Sequence, residues 1–255
     1  MGIAGVDTST AVVLALISTL VLGALHVLTP HIRKLPLVPE HATASFAGGT
    51  AVSYVFLHLL PDLAHGNREL RELFGEDAIA PLTELGIFMV ALVGFGLFYG
   101  LENLAESAKA GSPGNRGIFW VHLGAFASYN AIITYTLSST YRTGVAFAVL
   151  FTLAMGLHFV LSDRGLEAHY GDRFDRRFPR LILVAGLLLG WALSALLAPT
   201  SSVTVSVLTA FLAGSVLLNV FKEEIPTARR SSFPWFLTGM VGYAALLALV
   251  TALGA

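Results

Sequence analysis

The sequence predicts an all-α integral membrane protein, one bundle of eight helices filling residues 1–255, and three observations carry that reading. Of the 255 residues 55% are hydrophobic and 12% charged, with a mean hydropathy of +0.75, whereas about one quarter of an ordinary soluble domain is charged. Apolar runs long enough to cross a bilayer, about 18 residues or more, recur along the whole chain. Between them the basic residues fall unevenly, as in a membrane protein of fixed orientation. Strands are a poor alternative, because the runs are continuously apolar and lack the alternation of a lipid-facing barrel strand.

The expected spans are Ala11–Thr29, Thr43–Leu60, Pro81–Leu101, Ile118–Leu137, Gly144–Leu161, Leu181–Leu197, Val203–Phe221 and Phe233–Leu253. Pro30, Pro36 and Pro39 follow the first, and Gly111-Ser112-Pro113-Gly114 precedes the fourth. Pro199 follows the sixth and Pro234 opens the eighth, so Pro and Gly sit where helices stop and start. The first span is expected to be a retained helix rather than a signal peptide, because Met1–Thr10 holds Asp7 and no Lys or Arg. A formal net charge of −1 leaves no basic field for nucleic acid, and the absence of cysteine removes disulfides, thiolate metal sites and thiol nucleophiles.

Eight spans place the segments after spans 1, 3, 5 and 7 on one side, with twelve of the fifteen Lys and Arg; the other side holds Arg68, Arg71 and Arg142. The positive side is the cytoplasmic one, so a cytoplasmic membrane with both termini outside is expected.

Aligning Pro61 with Pro226 superposes Phe46–Pro61 on Phe211–Pro226 with identities at Phe46/Phe211, Gly49/Gly214, Val55/Val220, Phe56/Phe221 and Pro61/Pro226. Spans 2 and 7 cross in opposite directions, so the repeat is inverted, a construction many secondary transporters use. Chance likeness between two apolar helices ending in Pro is the competing explanation.

Polar residues inside spans are costly and are the first place to look for function. Span 4 holds Asn130 and Thr134 four residues apart, and span 5 holds His158 and Ser162 at the same spacing. Two inward polar faces of this kind enclose a hydrated site, or simply hydrogen-bond neighbouring helices. His58, Asp62 and His65 share one face at the outer end of span 2 if the helix persists, although Pro61 is expected to end it nearby. They read as a transition-metal ligand set or, given the water boundary, as interfacial polarity. Glu223 and Glu224 end span 7 on the inner side, and Glu102 and Glu106 end span 3, where local charge pairing is expected. The stretch Asp163–Arg180 reads as a solvated loop or an extension of helix 5, and Gly96/Gly100, Gly186/Gly190 and Gly124/Ser128 permit close helix contact.

These residues resemble the ZIP (ZRT/IRT-like) metal transporters over nearly the whole chain. The likeness rests on eight spans, on Phe46-Ala-Gly-Gly followed by His58-Leu-Leu-Pro-Asp62, on Ala213-Gly214 followed by Glu223-Glu-Ile-Pro226, and on Asn130. It implies a three-plus-two-plus-three bundle in which helices 1–3 and 6–8 are an inverted repeat. It also implies a transport unit of helices 1, 4, 5 and 6 beside a homodimerising scaffold of helices 2, 3, 7 and 8.

The departures from the family pattern are specific. The family's His-Asn-x-Pro-Glu in span 4 is here Tyr129-Asn130-Ala131-Ile132-Ile133, and its His-x-x-Pro-Glu in span 5 is His158-Phe159-Val160-Leu161-Ser162. His158 and Asn130 remain as weak metal donors, and with a hydroxyl they supply no charge to offset the desolvation of a divalent ion. The expected function is therefore a ZIP-like transporter with a degenerate binuclear site, carrying another ion or a small solute. A zinc, iron or manganese permease with a rearranged site and a non-transporting scaffold are the alternatives. Divalent metal enters as a possible substrate; no cofactor is implied, and the lipid bilayer and a second copy of the chain are the expected partners. Catalysis is not expected: no His-Glu-x-x-His or Gly-x-Ser-x-Gly motif occurs and no His follows His169.

Overall fold

A computed structural model describes residues 5–32, 40–74, 80–108, 115–225 and 231–254, and no strand occurs among them. The helices are α1 (Thr8–Ile32), α2 (Glu40–Tyr54), α3 (Leu60–Phe74), α4 (Ala80–Ala108), α5 (Asn115–Thr143), α6 (Val145–Tyr170), α7 (Arg177–Leu196), α8 (Ser202–Asn219) and α9 (Phe233–Gly254). A π-helical turn at Val55–Leu59 joins α2 to α3 as one rod, and a second at Val220–Glu224 extends α8. Among the described residues this makes eight rods. Seven are long and apolar enough to cross a membrane; α5 has the length, 29 residues, but carries His122, Asn130, Thr134, Thr136 and Ser138, all buried. The polar face of α5 thus turns to the protein interior, while large apolar side chains such as Leu92, Leu196 and Leu249 are exposed on the outside. Such a surface suits lipid as solvent, and the chain is a multi-pass helical membrane protein.

The first helix begins beside a side-chain cap that the sequence reading did not name, three residues before the expected start at Ala11. Backbone N–H groups of Ser9 and Thr10 donate to Asp7 Oδ2 at 3.2 and 3.4 Å, and bonds from Thr10 and Ser9 hold that carboxyl below its ordinary range.

One expectation about helix ends is corrected and another is narrowed. Pro61 does not end its helix: the rod continues to Phe74. Proline cannot donate to the carbonyl four residues back and its ring crowds that carbonyl. The π turn just before it widens the backbone, with Leu60 N–H bonded to Val55 O five residues back. In the second π turn Ile225 N–H bonds Val220 O at 3.1 Å, 165 residues further on. The stretch Asp163–Arg180 extends the fifth span, as one of its two expected readings had it, since α6 runs to Tyr170; it is not a solvated loop, because α7 already starts at Arg177 and Asp163 and Arg180 are buried.

Packing is closest at glycines. A Cβ on Gly49 would collide with Phe236 O on α9, and one on Gly214 would collide with Ala91 O on α4. Reciprocally, a Cβ on Gly239 would strike Phe46 O, and one on Gly94 would strike Phe211 O. The α2–α9 and α4–α8 crossings therefore use corresponding residues at constant sequence offsets. Gly186 and Gly190 of α7 meet Ala127 O and Ala131 O of α5, so these two helices run parallel. By contrast, a Cβ on Gly96, Gly100 or Gly124 would meet nothing within 4 Å, so these three make no close contact inside the described chain.

Candidate functional site

Four helices meet at a buried polar network. His26 of α1 donates from Nδ1 to Asp163 Oδ1 of α6 at 2.9 Å, and Arg180 of α7 donates from Nη1 to Asp163 Oδ2 at 3.1 Å. The same Nη1 lies 3.2 Å from His26 O, and Asn130 Nδ2 of α5 donates to His26 Nε2 at 3.0 Å and to Leu183 O at 3.3 Å. All four side chains are at most 4% exposed. The Asp163 carboxylate is thus matched by a guanidinium and takes a second hydrogen bond from His26. Phe159 stacks on His26 with centroids 4.6 Å apart, and the Arg180 guanidinium lies 4.7 Å over the Phe174 ring. Glu167 Oε2, 3.8 Å from Arg180 Nη2, adds a second carboxylate to this side of the network.

This centre explains how the chain bears a carboxylate and a guanidinium inside its core. An unpaired ion there would cost several kcal/mol, and the bonds from Arg180 Nη1 to Asp163 Oδ2 and His26 O offset part of that, while Arg180 Nε and Nη2 make no hydrogen bond among the described residues. His26 and Arg180 were not singled out from sequence. Their signal was a lone imidazole inside an apolar span, and an arginine one residue before the expected start of another.

The four predicted path residues do not form one pocket. Asn130 joins the His26 network, and Thr134 Oγ1 donates to Leu187 O at 2.7 Å, tying α5 to α7. His158 instead pairs with Tyr129, Nε2 to the phenol oxygen at 2.8 Å, and with Ser162 Oγ at 3.3 Å. Tyr129 and Asn130 are consecutive on a helix and project about 100° apart, which separates the two clusters. Asn130 and His158 thus have different hydrogen-bond partners, and among the described residues no group of three or more His, Asp or Glu is placed to hold a metal ion. In the His26 network one carboxylate and one imidazole already face an internal cation, Arg180.

At the end of the bundle formed by the C-terminus of α5, a cavity of about 530 Å³ is lined by His58, Asp62, His65, Arg68, Ser139 and Thr143 together with residues of α6, α8 and α9. His58 and Asp62 share a face despite Pro61, Nε2 lying 3.4 Å from Oδ2, and His58 stacks on Tyr54 at 5.3 Å. The unbroken rod makes this pairing possible. His65 borders the same cavity, but the three do not close into a ligand set.

At the opposite end, Glu102 of α4 is buried and accepts from Lys222 Nζ at 2.6 Å, with His122 Nε2 3.2 Å from its other oxygen. His122 Nδ1 and Tyr170 OH lie 2.8 Å apart, and His169 Nε2 is 2.8 Å from Glu106 Oε1. The charge pairing expected for Glu102 and Glu106 is present, but its partners come from α5, α6 and the turn after α8 rather than from neighbours in sequence. A small cavity of about 20 Å³ lies between Glu102, His122, Ser162 and Asn219. The side chains of Glu223 and Glu224 lie outside the described residues. None of the cavities described is lined by Asn130 or His158.

Fold and site together define a polytopic membrane protein with a charged, occluded centre. No protein-family model matches the chain, and no curated protein matches it.

Proposed function

We propose that the chain is a ZIP-like multi-pass transporter that moves protons or a small polar solute rather than a divalent metal. The observation that carries this reading is the His26–Asp163–Arg180–Asn130 network, which joins α1, α6, α7 and α5. Those are spans 1, 5, 6 and 4, the four that the ZIP resemblance assigns to a moving unit. The other four spans are held by the paired glycine crossings of α2 with α9 and α4 with α8. Their constant offsets, and the two π turns 165 residues apart, support an inverted repeat of helices 1–3 and 6–8. In this arrangement Arg180 supplies the positive charge that a bound metal brings elsewhere in the family.

The 530 Å³ cavity beside His58 and Asp62 is the outer vestibule, and the Glu102–His122–Lys222 cluster is the inner gate. Between them the network is shut, so solute passes only when α1, α5, α6 and α7 shift against the scaffold. A carboxylate–imidazole pair at the closing point accepts and releases a proton as access alternates. The protein acts as a carrier rather than an enzyme, dimerises through its scaffold face, and sits in the cytoplasmic membrane with both termini outside.

Reconstitution into liposomes tests this. Under an imposed membrane potential, a trapped pH-sensitive dye reports proton entry with the wild-type chain and about tenfold less with Asp163→Asn or His26→Gln. Saturable zinc, iron or manganese uptake without proton movement establishes the metal permease instead. No flux of either kind leaves a non-transporting scaffold.

A further inference from the structure

We infer that the groove between the N-termini of α5 and α7 is a binding site for the headgroup of an anionic phospholipid. A cavity of about 410 Å³ there is lined by Arg116, Arg173, Arg176, Trp120, Phe178 and Pro179. Arg116 and Arg176 have no acidic partner among the described residues. The volume is in the range of small-ligand sites.

The backbone adds to the positive field. The parallel packing of α5 and α7, fixed by Gly186 on Ala127 and Gly190 on Ala131, brings two helix N-termini to the same end. Arg176, the N-cap of α7, makes no side-chain cap, and Pro179 has no N–H, so the first N–H groups of this 20-residue helix lack a side-chain acceptor from their cap. A phosphate diester in the groove accepts from these groups and from the guanidinium forks.

The rim decides between a lipid and a free anion. Trp120 is 40% and Phe178 63% exposed, with ring centroids 6.1 Å apart. Both begin helices that cross the bilayer, at the depth where tryptophan and other aromatic rings meet headgroups. An acyl chain then continues along the exposed apolar flank of α7 at Leu181 and Leu188. A soluble phosphate has no use for that surface. Basic pockets between membrane helices hold acidic lipids for this combination of reasons.

Native mass spectrometry of the purified full chain tests the site, comparing phosphatidylglycerol with phosphatidylcholine of the same acyl length. The wild type is expected to retain phosphatidylglycerol selectively, and the Arg116→Gln/Arg176→Gln variant to bind it about tenfold or more weakly. Arg68→Gln, at the opposite end of the bundle, leaves retention unchanged. Trp120→Ala serves as a second variant should the double arginine change disturb folding, and it too is expected to weaken retention. Equal retention of the two lipids, retention unaffected by the arginine and tryptophan changes, or displacement of phosphatidylglycerol by millimolar inorganic phosphate overturns the proposal. None of these outcomes depends on whether the chain transports anything.

Discussion

Arg180 and Asp163 bind the interior of this protein together, and each is tolerable only because of the other. Arg180→Ala leaves a buried carboxylate at 0% exposure and is expected to cost about 3–5 kcal/mol of stability. Replacing both partners, Asp163→Leu with Arg180→Met, removes both desolvation penalties and recovers most of that loss. Thermal unfolding of the single and double variants in detergent checks the pair; a double variant no more stable than Arg180→Ala shows that the ion pair is not the main element. The sequence shows each of these residues but not their meeting, since Asp163 lies 137 positions from His26 and 17 from Arg180. Spacing along a helix reports neighbours three and four apart, as it did for His158 and Ser162, and is silent on partners brought by other helices. His158 illustrates the same limit: its partner Tyr129 lies 29 residues away.

Helices were the most legible level, because lipid solvent demands runs of about 20 apolar residues and leaves few ways to misread them. Their ends were less so. The rule that proline stops a helix is local, and the π turn at Val55–Leu59 evades it by changing the hydrogen-bond pattern one turn earlier. Close approach was harder still. The spacing of Gly96 and Gly100 looks like a contact motif, yet both are open; the equally spaced Gly186 and Gly190 do meet α5, and single glycines at Gly49, Gly94, Gly214 and Gly239 carry the α2–α9 and α4–α8 crossings. Two of those, Gly49 and Gly214, were visible as identities in the internal alignment. This yields a contrast. Gly49→Ala forces backbone against Phe236 and is expected to cost about 1–3 kcal/mol. Gly96→Ala, in open helix, is expected to stabilise by up to about 1 kcal/mol. Melting temperatures that move the same way for both would show that the crossing is not close-packed.

Across the whole molecule, charge separates the two ends of the bundle. Arg142 closes α5 at the end with the His58–Asp62 cavity, and Arg173 lies in the 3₁₀ turn at Gly171–Arg173, at the end holding the arginine groove. Because the chain has no cysteine, single substitutions report sidedness cleanly. In intact cells Arg142→Cys is expected to react with a membrane-impermeant maleimide, and Arg173→Cys only after lysis; the reverse pattern inverts the orientation. The proposed transport of protons or a polar solute rather than a divalent metal rests on Arg180, a protein-borne cation at the centre of the helical bundle. Calorimetric titration of the purified chain with zinc, manganese and ferrous ions addresses it most directly. The wild type is expected to show no stoichiometric site of micromolar affinity. One-to-one micromolar binding that Asp163→Asn or His26→Gln abolishes would contradict it.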